Sequence, residues 1–107
     1  MNTNNEAIVR YSPTPTFNLI TGTTQVITLT GDAVPSIVNP SNTIYTFVII
    51  QDDIGGHSFS WPSNFRGAGS VNPTNGTADA NTIAIQSFAY MSFLDEFVAT
   101  TTMSYGI

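Results

Sequence analysis

Residues 51–64 read Gln51-Asp-Asp-Ile-Gly-Gly-His-Ser-Phe-Ser-Trp-Pro-Ser-Asn64, and this stretch decides the fold prediction. Glycine readily adopts the positive φ angles that a tight reversal needs, so Gly55 and Gly56 predict a turn. After the turn, polar and apolar residues alternate, which places Phe59 and Trp61 on one face of a strand. The stretch therefore predicts a β-hairpin whose Trp61 packs in the core.

The residues before the glycines predict the longest strand, from Thr43 to Gln51. Its alternating positions are apolar on both faces, which is typical of a central strand that is covered twice. One face would meet an opposite sheet, and the other a loop, the N-terminal segment or another subunit. The two sets are Tyr45, Phe47 and Ile49 on one face and Ile44, Val48 and Ile50 on the other.

Proline and glycine breaks divide the rest of the chain into short segments of strand-like composition, about nine in total. No stretch keeps a helical spacing of apolar residues. The sequence therefore predicts an all-β fold, either an antiparallel β-sandwich or a jelly-roll-like barrel. Residues 1–6 are polar and predict a flexible N-terminal arm, and residues 7–107 predict a single domain.

Charge is scarce in this chain, which carries two arginines, no lysine and seven carboxylates, for a net charge of -5. Nucleic-acid binding needs a basic stripe that neutralises several phosphates, and Arg10 and Arg66 cannot provide one. We therefore expect no nucleic-acid partner, and for the same reason no anionic membrane surface. The first residues lack the basic and apolar regions of a secretory signal, and no apolar run could span a bilayer, so we expect synthesis in the cytoplasm without membrane insertion.

Catalytic and metal-binding chemistry finds little support in the sequence. His57, the sole histidine, could meet Asp52 or Asp53 and a nearby serine, but hydroxyls are so common here that such proximity is expected by chance, and we predict an exposed turn histidine. A calcium site needs about six to eight oxygen ligands, so the two aspartates more simply predict an Asx-type turn cap. Asp95 and Glu96 are consecutive and would face opposite sides of a strand. We expect no cofactor, no metal and no enzymatic activity.

The pattern Gln-Asp-x-x-Gly-Gly-x-x-x-x-Trp-Pro-Ser-Asn resembles a β-rich module of tailed-bacteriophage virion proteins, found in tail fibres, head fibres and capsid decoration proteins. The resemblance covers roughly the last two-thirds of the chain. The chain departs from the module at Phe65-Arg66-Gly67, where a second tryptophan is usual, and at residues 92–97, where an Asp-Gly-x-x-Trp-Tyr hairpin is usual. The matching residues are Gln51, Asp52, Gly55, Gly56, Trp61, Pro62, Ser63 and Asn64.

This resemblance implies a structural protein on the outer surface of a virion, and the short chain favours a capsid decoration or cement subunit that binds the major capsid protein. It also implies a homotrimer. The alternative is a fibre module that recognises a host surface glycan through exposed aromatic rings. The residues that we expect to contact the shell or a neighbouring subunit are Ser12, Pro13, Pro15, Tyr45 and Phe47.

Overall fold

The computed structural model describes residues 6–66, 79–100 and, for the backbone, 104–106. Within these ranges the protein is all-β, as predicted, with a single short 3-10 helix at Leu19–Thr21. The strands are β1 (Glu6–Val9), β2 (Thr16–Asn18), β3 (Thr24–Leu29), β4 (Ser36–Val38), β5 (Ile44–Gln51), β6 (Phe65–Arg66), β7 (Ile83–Met91), β8 (Glu96–Ala99) and β9 (Ser104–Gly106).

Seven of these strands form the main sheet, in the order β1-β3-β5-β7-β8-β6, with β9 beside β7. The prediction of an antiparallel sheet is wrong, because β1, β3 and β5 run parallel to one another, as do β6 and β8. Antiparallel pairing is confined to β7 and its neighbours β5, β8 and β9. The main sheet is therefore mixed.

A small sheet of two parallel strands, β2 and β4, forms a second layer. The chain passes from one sheet to the other and back between β1 and β5, so the parallel pairs β1–β3 and β3–β5 are each connected through a strand of the small sheet. Parallel strands always need such a crossover connection, which is more often a helix. Phe17 of β2 packs against Phe47 of β5, with 5.7 Å between the ring centroids, and this contact joins the two layers.

The predicted hairpin at the paired glycines is also wrong. β5 already has β3 and β7 as its two neighbours, so no edge is open for a returning strand. Instead the chain crosses to the small-sheet side, where Phe59 forms an isolated parallel bridge with Ala33. Ala33 N–H donates to Ser58 O at 2.9 Å, and Ser60 N–H donates to Ala33 O at 3.0 Å.

The hydrophobic core lies between the two layers and is rich in aromatic rings. It includes Phe59 and Trp61, as the alternation of the sequence predicts. Tyr45 and Phe47 are likewise buried here, so their predicted role as subunit contacts is wrong. At the start of the chain, Glu6 belongs to β1 rather than to an arm, and residues 1–5 lie outside the described residues.

Candidate binding surface

Residues 51–64, the signature segment, are held to the core first through the side chain of Gln51. This residue ends β5, and its side chain is buried. Its Nε2 donates to the carbonyl oxygen of His57 at 2.8 Å, and the His57 N–H donates to its Oε1 at 3.1 Å. The amide therefore forms the same pair of hydrogen bonds that a neighbouring strand would form, and it fixes where the chain leaves the main sheet.

Asp52 organises the turn that follows. Its Oδ1 accepts the backbone N–H groups of Ile54 and Gly55, each at 3.0 Å, which confirms the predicted Asx-type turn at this aspartate. Gly55 and Gly56 have φ angles of 73° and 78°, so both use the left-handed region that glycine tolerates best. The hydrogen bond from Gly55 lowers the pKa of Asp52, and the bonds from Ile54 and His57 act in the same direction.

His57 does not have the solvent-exposed position that we predict for it. Its side chain is 14% exposed, and Nε2 lies 3.0 Å from Asp52 Oδ1. Asp32 acts in a similar way from the neighbouring loop, because its Oδ1 accepts the Ser58 N–H at 2.9 Å. These carboxylates bind backbone and side-chain donors of the signature segment, so their role in the structure is to hold that segment in place.

Trp61 lies within the aromatic core, where its ring is 4.9 Å from Phe59 and 5.1 Å from Phe88. Its Nε1 is buried without an acceptor among the described residues. Beyond it, the Pro62 carbonyl oxygen accepts the Phe65 N–H at 3.0 Å, and Asn64 Nδ2 donates to the Asp95 carbonyl oxygen at 3.0 Å. These contacts thus connect the signature segment to the core and to the turn before β8.

The face of the main sheet that points away from the core, here called the outer face, has no covering layer among the described residues. The alternating residues of β5 that we expected to be covered are open to solvent to varying degrees, and Ile44 is 54% exposed. The strand register of the main sheet aligns the side chains of the outer face in rows that run across neighbouring strands. One row is Ile8, Val26, Val48 and Ile85, a second is Ile44, Ala89 and Val98, and a third is Thr28, Ile50 and Ile83.

Uncharged side chains occupy the centre of the outer face. Between the apolar rows, Thr46 and Ser87 satisfy each other through a hydroxyl–hydroxyl hydrogen bond of 2.8 Å. Charged groups lie at the margin, where Arg66 donates to Glu96 Oε2 from Nε at 3.1 Å and from its terminal nitrogen at 2.8 Å. The outer face is therefore an apolar surface with hydroxyl groups in its middle and charges at its edge, which is typical of a protein contact surface.

A pocket of about 390 Å³ opens at one end of the outer face. Phe93 stands beside it on the turn between β7 and β8 and is 83% exposed. Asn42 supports this turn by accepting the Ser92 N–H at 2.8 Å, and Tyr90 donates to Asp95 Oδ1 at 2.7 Å. That bond to Asp95 raises the pKa of Tyr90. No sequence pattern indicates the pocket, since the pocket depends on how the turn folds over the end of the sheet.

The residues predicted to contact a shell are divided by the structure. Pro13 is exposed and Ser12 half-buried, whereas Pro15 is buried and cannot serve as a surface contact, which corrects that prediction. Ser12 Oγ accepts the Thr14 N–H at 3.1 Å, and the Pro13 and Pro15 carbonyl oxygens accept the N–H groups of Val34 and Ser36. This segment therefore connects β1 to the small sheet.

Across the residues that the structure describes, no three side chains of the metal-binding types come together. In the same ranges, no helix has the length and hydropathy needed to cross a bilayer.

Replacing Gln51 with leucine removes both hydrogen bonds to the His57 backbone, and with them the partners that the Gln51 side chain provides to this part-buried N–H and C=O. Each such group costs about 1–3 kcal/mol, so we expect a loss of roughly 2–4 kcal/mol in the free energy of unfolding, measured with urea. Gln25→Leu is the matched comparison, because Gln25 is equally buried but only its Nε2 is bonded, with the Gly22 carbonyl oxygen at 2.7 Å as the nearest acceptor, while its Oε1 has no donor within the described structure. We therefore expect a smaller loss in Gln25→Leu than in Gln51→Leu. An equal loss in both variants would contradict the proposed role of Gln51.

Replacing Asp52 with asparagine keeps an acceptor for the turn but removes the titrating charge. Because the folded-state pKa lies below the ordinary 3.8, ionised Asp52 stabilises the fold above that pH, and this stabilisation disappears as the pH falls through the lower folded-state value. We therefore expect the free energy of unfolding to decline less steeply below about pH 4 in Asp52→Asn than in the parent protein. Parallel curves for the two proteins would show that Asp52 carries no such linkage.

Comparisons with known proteins identify no relative of this chain. No protein-family model matches the chain, and no curated protein or solved structure matches it.

Proposed function

We propose that this chain is a structural protein of a tailed-bacteriophage particle, made in the host cytoplasm and carried on the outer surface of the virion. Its most specific role in this proposal is that of a capsid decoration or cement subunit. The observation that carries the proposal is the outer face, a broad apolar surface that no other described part of the chain covers. The resemblance of the signature segment to phage modules supports the choice of particle.

The size of the outer face suits a contact with a large partner. Four neighbouring strands lie about 4.8 Å apart, and the rows of side chains cover about 25 Å along the strand direction. The outer face therefore has a flat area of roughly 500 Å². Exposed apolar patches of a few hundred Å² or more mark interaction sites, and a standard interface buries about 800 Å² per partner. The outer face and its surrounding loops together reach that scale.

The mechanism in this proposal is mechanical. A subunit that binds across neighbouring capsid proteins buries surface that must be exposed again before the shell opens, so binding favours the closed shell by mass action. The two packed sheets would act as a stiff β-sandwich-like plate, supported by the aromatic contacts between the layers. Assembly as a homotrimer, which the resemblance implies, would place several such plates around one junction of the shell.

The test compares charged substitutions on and off the outer face. Particles of the encoding virus that lack this protein should bind the unmodified chain, with new density over the shell in electron cryo-microscopy. Ile44→Asp combined with Ile85→Asp should weaken binding by at least about tenfold, because a charge buried without a partner costs more than 1.4 kcal/mol. Both residues are exposed in the isolated chain, so the fold should tolerate the change.

The matched control is Ile20→Asp combined with Val34→Asp, since these residues are also exposed but lie outside the outer face. The control should bind shells as the unmodified chain does. Equal loss in both pairs, or density at fibre ends instead of the shell, would contradict the cement proposal. Circular dichroism confirms that each variant is folded.

A second candidate function is the recognition of a host glycan by a fibre module. The pocket beside Phe93 favours it, because an exposed aromatic ring next to hydroxyl and amide groups can pack against a sugar ring while those groups form hydrogen bonds. The polar residues that line this pocket include Asn42, Thr43 and Ser92.

A glycan array tests this second function directly. If the fibre role is correct, the chain binds a defined set of sugars, and Phe93→Ala lowers that binding by about tenfold or more, the loss expected for an aromatic contact worth at least 1.4 kcal/mol. Ile54→Ala, which truncates an equally exposed side chain elsewhere, should leave sugar binding unchanged. A blank array argues against the fibre role.

A further inference from the structure

β1 is an end strand of the main sheet, and among the described residues neither a proline nor a further strand protects its open edge. Unprotected edges invite pairing with another chain, and proteins normally blunt them with prolines, charges, bulges or very short strands. Among the described residues the opposite edge follows this rule, since β6 has two residues and its Arg66 forms an ion pair with Glu96 of β8. β1 has four residues, no proline, and an isoleucine, Ile8, that is 78% exposed.

The described part of the chain leaves space beside this edge. A groove of about 720 Å³ runs along β1 and is bounded on its far side by residues that lead into β2 and follow it. β2 is itself the end strand of the small sheet, so the terminal strands of both sheets border the same groove. An added strand would therefore extend the main sheet and fill part of this groove.

The order of residues around Ile8 identifies the strand that fits. Burial alternates from Glu6 to Arg10, which places Glu6, Ile8 and Arg10 on the exposed side and Ala7 and Val9 on the half-buried side. An antiparallel partner with the same sequence, centred on Ile8, brings each Glu6 opposite Arg10 of the other copy. Opposite charges in such cross-strand positions stabilise pairing, and like charges oppose it.

Arg10 is suited to such a contact by its position in the isolated chain. It is exposed, and within the described ranges no carboxylate lies at ion-pair distance from it. The chain has only one other arginine and no lysine, so a complementary charge arrangement at this edge is a specific feature of the sequence.

From these observations we propose that β1 of one copy pairs antiparallel with β1 of a second copy about a two-fold axis at Ile8. The contact joins two seven-stranded main sheets into one continuous sheet, with an Ile8–Ile8 contact flanked by two Glu6–Arg10 pairs. Such a contact is isologous, because each copy contributes the same surface. It buries little area, so the dimer is weak and forms at high local concentration. This inference does not depend on the proposed virion role.

Cross-linking with a single cysteine tests the contact. The chain has no cysteine, so Ile8→Cys introduces one thiol per copy. Directly opposed residues of antiparallel strands have Cα atoms about 4.5–5.5 Å apart, which lies within the range for a disulfide. Under mild oxidation of the purified full-length chain, Ile8→Cys should form a covalent dimer at least about tenfold faster than Ile20→Cys, an equally exposed control on the 3-10 helix.

Charge reversal then tests the register. On the Ile8→Cys background, Glu6→Arg alone or Arg10→Glu alone places like charges opposite each other, and each should slow cross-linking by about tenfold or more. A mixture of these two variants restores opposite charges across the contact and should form heterodimers at the parental rate. The double variant with both reversals should also recover, and added salt should slow the parental reaction.

Two results would overturn the proposal. One is cross-linking of Ile8→Cys no faster than that of Ile20→Cys, as expected if the β1 edge is free or is reserved for a different protein. The other is an insensitivity to charge reversal, which would exclude the antiparallel register centred on Ile8. Because the experiment uses purified protein without shells, its failure would leave the shell-binding test unaffected.

Discussion

Burial of the Phe47 ring is the constraint on which the rest of this structure depends. The ring contacts four other aromatic rings, those of Phe17 in the small sheet, Trp61 in the signature segment, Phe65 in β6 and Phe88 in β7. A chain without disulfides must obtain its stability from such packing, and the loss of a buried phenylalanine ring typically costs about 3–5 kcal/mol out of a total of about 5–15 kcal/mol. Phe47 therefore couples both layers and the signature segment into one cooperative unit.

Local alternation in the sequence predicted which residues face the core, but it did not predict how the strands pair. Phe59 and Trp61 were correctly assigned to the core, because period-two patterning depends only on neighbouring residues. On β5 the same alternation was read as two covered faces, and Tyr45 and Phe47 were assigned to a subunit contact although they are buried in the core. Parallel pairing depends instead on strands that are distant in the chain, as when Ile8 pairs with Val26 and Val26 with Val48. The paired glycines predicted a hairpin, yet the edges of β5 were already occupied.

The candidate surface was predictable to a similar, partial extent. An aspartate before a glycine turn is a local signal, and the cap at Asp52 follows from it. The pairing of the Gln51 side chain with the His57 backbone leaves no such pattern, because any buried amide could satisfy that segment. The outer face was visible as a second apolar face on β5, but sequence alone could not show that the chain's described residues leave it uncovered.

The winding of the chain between the two layers has a consequence for how this protein reaches its folded state. None of the parallel pairs can form until the intervening chain has closed a long loop. The conformational entropy lost in closing that loop is not compensated until the strands pair. Topologies of this kind fold over milliseconds to seconds, whereas helical bundles of similar stability fold far faster. During that interval the apolar strands are exposed together, which makes newly made chains prone to aggregate at high concentration.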